Sequence, residues 1–210
     1  TSEPNALISV YDGATLIGTT FADGSGDWTF TPSSDLDEGP HEFTATATDA
    51  ADNTGPASGP RTITVDVTAP AAPAITTPAT NIVTNVNTQP ISGTAEPGST
   101  VTVNDGATLL GTATTDGSGN WSLSPDPSFT EGPHVLTATA TDASGNSTPA
   151  SSARTITIDL TDPVASISSP LNGASVNTAS PDIKFTATDT NLASLVCSLD
   201  GGAAVACTSP

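Results

Sequence analysis

The stretch Val135-Leu136-Thr137-Ala138-Thr139-Ala140-Thr141 alternates apolar residues with threonines at a period of two. Such alternation is typical of a β-strand with one buried face, because successive side chains of a strand point to opposite sides of the sheet. Leu136, Ala138 and Ala140 are therefore predicted to face a core. Similar short segments, rich in Thr, Val, Ile and Leu, flank this stretch at intervals of about ten residues. Gly, Pro, Asp and Asn separate them, and no helical periodicity is sustained, so the pattern predicts an antiparallel β-sandwich.

The chain also contains an internal repeat. Residues 3–70 align without a gap with residues 96–163, and 38 of the 68 aligned positions are identical. A period of this length is too long for a solenoid repeat and suits one small globular domain. We predict a repeat without its first strands over 1–68, a complete repeat over 69–161 and the opening part of a divergent repeat over 162–210. The chain is thus expected to be a piece of a longer protein, truncated at both ends.

The complete repeat is predicted to have seven strands, the number that an immunoglobulin-like sandwich requires. They are expected near residues 74–76, 89–95, 99–104, 108–115, 120–124, 134–141 and 154–159. Trp121, Leu123, Ile156 and Ile158 extend the predicted inward face. Trp121 is expected at the centre of the core, because a domain this poor in aromatic residues depends on each one for apolar burial. Ligand stacking by Trp28 and Trp121 is the alternative.

Charge excludes several classes of partner. The chain has 22 acidic residues and only three basic ones, Lys184, Arg61 and Arg154, which gives a formal net charge of −19. Such a surface repels phosphate backbones and anionic membranes, so nucleic acid is not an expected partner. Membrane insertion is not expected either, because no run of 18 apolar residues occurs. Divalent cations could neutralise clustered carboxylates, and a solvated acidic surface is the plainer alternative.

Cysteine and histidine positions say more about structure than about catalysis. Cys197 and Cys207 lie symmetrically about position 202, so a hairpin with a three-residue loop would make them face each other. A disulfide is expected in an oxidising compartment, with two buried thiols as the alternative. His41 and His134 occupy one repeat position without a paired nucleophile, and no catalytic motif is present. We therefore predict that the chain is not an enzyme.

Several motifs together resemble the bacterial immunoglobulin-like repeats of giant surface adhesins and biofilm-associated proteins. They are Gly93-Thr94-Ala95-Glu96-Pro97-Gly98-Ser99-Thr100-Val101-Thr102-Val103, Asp105-Gly106, residues 116–121, Glu131-Gly132-Pro133-His134 and residues 137–146. Residues 169–174 and 197–202 are similar to a sister class of such repeats. The resemblance implies an extracellular or cell-surface stalk whose partners are the neighbouring repeats of the same chain, with calcium stiffening the junctions. A host or cell-surface ligand of domains outside this segment is a further expected partner, and the resemblance does not say what that ligand is.

Strand parity in the predicted sandwich supports the calcium hypothesis independently. Alternate strands bring the loops at Glu96, Asp116 and Asp142 to the end of the domain where the preceding linker arrives with Asp66. These carboxylates, with carbonyls of the 143–146 loop, would form the all-oxygen shell that calcium takes. The candidate ligands are Asp66, Glu96, Asp116, Asp142 and Asn146 in the first group and Asp159, Asp162 and Asp189 in the second. Asp residues also form turns for backbone reasons, which is the alternative for each of them.

These features predict a non-catalytic extender segment of a bacterial surface or secreted adhesin, made of tandem immunoglobulin-like sandwiches, that supports cell adhesion or biofilm formation. A rival hypothesis makes the domains accessory modules of a large secreted hydrolase. That role needs an exposed aromatic platform, whereas Tyr11, Phe21 and Phe129 are scattered along the chain. A third hypothesis is adhesion to a host protein by strand addition at a sheet edge.

Overall fold

The computed structural model of the chain describes residues 2–207, which form two compact units. Unit 1 contains the residues up to Ala69 together with the loop Ala143–Asn146, and unit 2 contains Pro70–Asp142 and the residues from Ser147 onward. The predicted division into 1–68, 69–161 and 162–210 stays a prediction, because unit 2 includes both the complete repeat and the residues after it. All regular secondary structure over residues 2–207 is β-strand. None of the described residues forms a helix with the length and hydropathy of a membrane span.

Unit 1 is built on one four-stranded antiparallel sheet. Its strands are β1 (Leu7–Asp12), β2 (Thr15–Phe21), β3 (Gly39–Thr48) and β4 (Arg61–Val65), in the spatial order β2-β1-β3-β4. Gly13 allows the tight turn between β1 and β2, since it adopts a φ of +57° that disfavours other residues. Ile8 and Val10 of β1 are buried against Phe30 and the alanines of β3.

The complete repeat in unit 2 forms two sheets. Its strands are β5 (Ala74–Thr77), β6 (Ile82–Thr84), β7 (Ile91–Thr94), β8 (Thr100–Asp105), β9 (Thr108–Thr114), β10 (Asn120–Leu123), β11 (Gly132–Thr141) and β12 (Arg154–Ile158). One sheet has the order β10-β7-β5 and the other the order β6-β12-β11-β8-β9. All neighbours are antiparallel except β6 and β12, which pair in parallel. The predicted all-β, immunoglobulin-like sandwich is confirmed.

The structure contains the seven predicted strands of this repeat, with ends shifted by at most two residues, and adds one. The additional strand is β6, so the predicted count of seven is too low. The chain leaves the first sheet after β5 and joins the second through β6, dividing the opening of the repeat between both sheets. Three residues are too few for a period-two pattern to be recognised, and β6 is defined by its pairing with β12.

The core of the complete repeat lies between its two sheets. Leu136, Ala138 and Ala140 are fully buried, as the alternation in β11 predicts. Trp121 is 3% exposed, which leaves no face for a stacked ligand. The buried cluster comprises Ile75, Ile91, Val101, Val103, Trp121, Phe129, Leu136, Ala138, Ala140, Ile156 and Ile158. Leu123 packs against this cluster while partly exposed.

After the complete repeat, the chain forms two hairpins. They are β13 (Val164–Ser169) with β14 (Lys184–Thr188), and β15 (Val196–Cys197) with β16 (Val205–Ala206). Cys197 and Cys207 form a disulfide with a Cα–Cα distance of 5.8 Å. The predicted register is wrong, however, because Cys197 lies opposite Val205 rather than Cys207. The two cysteines are therefore diagonal neighbours, a separation that a disulfide can still span.

Candidate linker and cation site

The linker after β4 is tied to its own repeat by two carboxylates. Glu38 precedes β3, and Gly39 pairs with Val65 at the end of β4, so the Glu38 side chain lies beside the departing chain. Its Oε2 accepts a hydrogen bond from the backbone N–H of Val67 at 3.0 Å. Asp66 Oδ1 accepts another from the N–H of Thr68 at 3.2 Å. Two successive backbone donors of the linker are thereby satisfied by acids of the same repeat.

The linker after β12 has the same arrangement 93 residues later. Glu131 Oε2 accepts from the N–H of Leu160 at 2.7 Å, and Asp159 Oδ1 accepts from the N–H of Thr161 at 3.2 Å. Both glutamates belong to the Glu-Gly-Pro-His motif, and both aspartates directly follow a strand. We call Glu38 with Asp66, and Glu131 with Asp159, the linker clamps. Their recurrence shows that one sequence pattern bonds each linker to the repeat that precedes it.

Asp66 and Asn146, two predicted ligands, lie together in unit 1. Ser144 Oγ donates to Asp66 Oδ2 at 2.8 Å. The side-chain amide of Asn146 donates to the backbone carbonyl of Asp66 at 3.0 Å and to its Oδ1 at 3.3 Å. Asp66 is therefore the acceptor at the centre of a polar cluster that includes the 143–146 loop.

The second predicted group, Asp159, Asp162 and Asp189, lines one cavity of about 720 Å³ in unit 2. Asn191 connects two of the three acids. Its side-chain amide donates to Asp159 Oδ2 at 2.6 Å, and its backbone N–H donates to Asp189 Oδ1 at 2.7 Å. The three acids thus line one surface of unit 2, and their role as ligands stays a prediction.

The two groups of predicted ligands contain oxygen donors that suit calcium, but these donors are not spaced closely enough to hold it. Carboxylate, amide and carbonyl oxygens are the donors that calcium prefers. Over residues 2–207, however, no three His, Cys, Asp or Glu side chains are arranged closely enough to hold a metal ion. Asn191 occupies carboxylate oxygens of Asp159 and Asp189 as a donor, so an ion at this cavity would have to displace those hydrogen bonds. Calcium at either group stays a prediction.

Asp116 forms a turn, the alternative role stated for it. Its Oδ1 accepts from the backbone N–H groups of Ser118 at 2.8 Å and Asn120 at 2.9 Å. The backbone N–H of Asn120, followed by its side-chain amide and the N–H of Ser118, lowers the pKa of Asp116 from its ordinary value.

Glu96 is exposed, and its backbone carbonyl accepts from the hydroxyls of Ser99 and Thr115. Asp142 directly follows β11 and is partly buried.

Each histidine is held between a carboxylate and a backbone carbonyl. His134 Nδ1 lies 2.6 Å from Asp105 Oδ2, and its Nε2 lies 2.9 Å from the carbonyl of Thr130. His41 Nδ1 lies 2.5 Å from Asp12 Oδ2 in the same way. Both ring nitrogens face acceptors, so only the doubly protonated imidazolium can donate both hydrogen bonds. In the complete repeat, His134 thus ties β11 to the end of β8 through Asp105 and to the segment before β11 through Thr130.

This geometry raises the pKa of both rings above the ordinary 6.5. For His134, burial lowers the pKa, but hydrogen bonds to Asp105 and to the Thr130 carbonyl, with the charge of Asp105, together outweigh it. For His41, the carbonyl of Asp37 contributes most to the raised pKa and Asp12 comes next. The protonated ring is therefore favoured by folding.

The free energy of unfolding is expected to fall as pH rises from about 6 to about 9. A histidine whose pKa is higher in the folded state than in the unfolded state stabilises the fold fully below pH 6.5, and this contribution is lost as the pH passes the folded pKa. The measurement is the urea midpoint at both pH values for the wild-type chain and for H41Q/H134Q. The chain contains no other histidines, so the double variant should lose most of this dependence. An equal pH dependence in both proteins would show that the rings are neutral in the folded state.

Sequence reasoning missed the clamp glutamates and the acid partners of the histidines. The sequence did contain a signal for them. The glutamate–linker bond and the aspartate–histidine pair each join residues that are the same distance apart along the sequence in both repeats. Asp12 and His41 lie 29 residues apart, as do Glu38 and Val67, and both pairs recur at Asp105–His134 and Glu131–Leu160. The aromatic platform of the rival hypothesis does not include Phe129, which is 4% exposed in the core.

Comparison with known families defines the class of protein. Residues 1–67 and 73–160 match the bacterial Ig-like domain family, once for each repeat. The chain belongs to this family. No curated protein matches the sequence.

Three solved structures are partly similar to this chain. Fibronectin(III)-like modules of Clostridium thermocellum CbhA are 18% identical, over 75% of this chain and 80% of that chain, with a TM-score of 0.46. The BSP domain of a biofilm-associated protein is 27% identical, over 76% of this chain and 26% of that one, with a TM-score of 0.35. A tetra-tandem repeat from the extending region of a large adhesion protein is 24% identical, over 99% of this chain and 56% of that one, with a TM-score of 0.38. The family match, rather than these likenesses, defines the class.

Proposed function

We propose that the chain is a non-catalytic extender segment of a bacterial cell-surface or secreted adhesin. The observation that supports this role is the linker clamp, which recurs after both repeats with the same residue types. A linker whose backbone donors are bonded to the preceding domain samples fewer conformations than a free one. Series of domains joined in this way hold a distal binding domain away from its anchor, whereas freely jointed domains coil back.

The same proposal covers partners and location. The partners are neighbouring Ig-like repeats of the same protein, and a host or cell-surface ligand would be bound by domains outside this segment. The location is extracellular, at the bacterial surface, which is consistent with a disulfide between Cys197 and Cys207. The net charge of −19 opposes binding to nucleic acid and to anionic membranes.

We include calcium as a second component of the proposal. Asp159, Asp162 and Asp189 would supply carboxylate oxygens at their shared cavity. In unit 1, Asp66 would supply a carboxylate oxygen and Asn146 a carbonyl oxygen. A divalent ion would neutralise carboxylates that the chain's three basic residues cannot neutralise. The ion would add to the restraint that the clamps impose on the linkers. Glu38 and Glu131 hold the linkers through hydrogen bonds that need no metal.

Small-angle scattering in the presence of a chelator tests the extender role. E38A/E131A removes the carboxylate acceptors of both clamps, so its distance distribution should broaden and its mean end-to-end dimension should shrink. E38Q/E131Q is the matched control, since a glutamine carbonyl can still accept from Val67 and Leu160. Identical distributions for the alanine variant and the wild-type chain would contradict the role assigned to the clamps.

The same scattering experiment tests the calcium component separately. Added calcium should narrow the distribution of the wild-type chain and raise its thermal stability, and D159N/D189N should reduce both effects. Wild-type profiles that are the same in calcium and in chelator would remove calcium from the proposal and leave the clamps untouched.

A further inference from the structure

The Glu-Gly-Pro-His motif connects each linker clamp to a histidine. In the complete repeat, Glu131 Oε2 accepts a hydrogen bond from the backbone N–H of Leu160 at 2.7 Å. The last residue of the motif, His134, places Nε2 2.9 Å from the backbone carbonyl of Thr130, the residue directly before Glu131. The histidine therefore holds the backbone next to the residue whose side chain forms the clamp.

The glycine of the motif allows this contact. Gly132 has a φ of +113°, a conformation that glycine adopts readily because it has no side chain. The chain bends there before it continues as β11, and the His134 ring reaches a carbonyl four residues earlier in the sequence. Pro133, the next residue, has a restricted φ and no N–H to satisfy. The four residues of the motif thus form one local structure around the clamp.

Unit 1 contains the same structure. Glu38 Oε2 accepts from the backbone N–H of Val67 at 3.0 Å, and His41 Nε2 lies 2.8 Å from the carbonyl of Asp37, directly before Glu38. Gly39 has a φ of +124°. The residue that supplies the carbonyl is an aspartate here and a threonine in the complete repeat. The contact therefore depends on the motif and not on the side chain that precedes it.

Protonation decides whether His134 can hold the carbonyl. The protonated ring donates from Nδ1 to Asp105 and from Nε2 to Thr130. A neutral ring has only one N–H, and it stays on Nδ1 because the Asp105 carboxylate is the stronger acceptor. Nε2 then presents a lone pair to the carbonyl oxygen, and the two atoms repel each other. Loss of the proton thus releases Thr130 and the backbone that carries Glu131.

We propose that His41 and His134 are positioning residues for the clamp glutamates, holding each linker while the imidazole is protonated and loosening it when the proton is lost. The proposal rests on the extender role and adds a control to it. The pKa of both rings is raised above 6.5, so the release falls on the alkaline side of that value. A series of such repeats would be stiffer in mildly acidic surroundings than in alkaline ones.

The neighbours of His134 identify the group that controls its titration. Burial lowers the pKa of this ring, and the hydrogen bonds to Asp105 and to the Thr130 carbonyl, with the charge of Asp105, outweigh that effect. Phe129 lies against the ring with the centroids 4.7 Å apart, and Ile156 of β12 is opposite His134 in the sheet. Phe129 and Ile156 do not titrate. Asp105 is therefore the position at which a substitution moves the pKa of His134.

His41 has its own acidic neighbours. The backbone carbonyl of Asp37 raises its pKa most, the hydrogen bond to Asp12 comes next, and the charges of both carboxylates add to them. Phe43 stacks with the ring at a centroid distance of 6.1 Å, and Ile63 of β4 lies opposite it. The two histidines thus have separate acid partners. Each repeat can be altered without the other, and each serves as the control for the other.

Amide hydrogen exchange in the full chain tests the proposal. The readout is the protection factor of the Leu160 and Val67 N–H groups, which is the intrinsic exchange rate at each pH divided by the observed rate. Both factors should fall at least about fivefold between about pH 6 and about pH 9, as expected when a hydrogen bond to a charged group is weakened. D105N should move the midpoint of the Leu160 profile to lower pH, because it removes the charge that raises the pKa of His134. The Val67 profile in D105N should not move.

Three outcomes would overturn the proposal, and they separate it from the extender role. E131A at about pH 6 should remove the protection of Leu160 in any case, since it removes the acceptor. If it does so while wild-type protection is the same at both pH values, the histidine control is overturned and the extender role stands. If E131A changes nothing, the clamp is absent and both proposals fall. If β11 loses protection to the level of Leu160 at the higher pH, the linker is released by unfolding and the histidine control is overturned.

Discussion

Replacing Trp121 with alanine is expected to destabilise the complete repeat by about 3–5 kcal/mol, the range found for removing a large aromatic side chain from a core. Trp121 is 3% exposed and belongs to the cluster that includes Ile75, Ile91 and Phe129. Its removal would leave a cavity between the two sheets that rigid strands cannot close. The free energy of opening, obtained from amide hydrogen exchange in β11, measures the effect within this repeat alone.

W28A is the matched control, because it makes the same change at the same repeat position. Trp28 is 37% exposed in unit 1, so its removal should cost about 1 kcal/mol or less, measured by exchange in β3. Equal losses for the two variants would contradict the difference in burial between the two tryptophans.

The second large effect is expected for Gly93→Ala, which should destabilise the complete repeat by about 3 kcal/mol. A Cβ at position 93 would lie 1.9 Å from the carbonyl oxygen of Ala74 and 2.7 Å from the Trp121 ring. The first contact is with backbone, so β5 would have to move away from β7 to accommodate one methyl group. The urea midpoint followed by circular dichroism, combined with exchange in β7, measures the loss.

G117A is the control for that substitution. A Cβ added to Gly117 would have no atom within 4 Å, and this residue lies outside the strands. Its replacement should change stability by no more than about 0.5 kcal/mol. Comparable stability of G93A and G117A would mean that β5 and β7 do not approach as closely as described.

Local pattern was sufficient to predict most of the sandwich. The alternation in β11 identified its buried face, and turn residues separated the strands to within two residues of their observed ends. The pattern failed for β6, because Ile82–Thr84 is identified as a strand only by β12, a partner distant in sequence. It also failed for the cysteine hairpin, where the turn at Asp200 and Gly201, both with positive φ, shifts the register.

Less of the candidate site could be predicted from the sequence. Asp159, Asp162 and Asp189 were grouped by correspondence with the first junction, and they line one cavity, but their role as ligands stays a prediction. Strand parity could not tell a turn-forming Asp116 from a ligand, because both roles place a carboxylate at the start of a loop. The clamps were missed because the bond from Leu160 to Glu131 requires β11 and β12 to be paired first.

The parallel pairing of β6 with β12 has a mechanical consequence. β6 lies near the start of the complete repeat and β12 at its end, so tension on the chain pulls the two strands in opposite directions along their length. Hydrogen bonds between them are then loaded in shear and must break together, whereas a hairpin pulled open from one end loses its bonds one after another. The complete repeat is therefore built to resist stretching along the chain, because β6 near its start and β12 at its end hold each other directly.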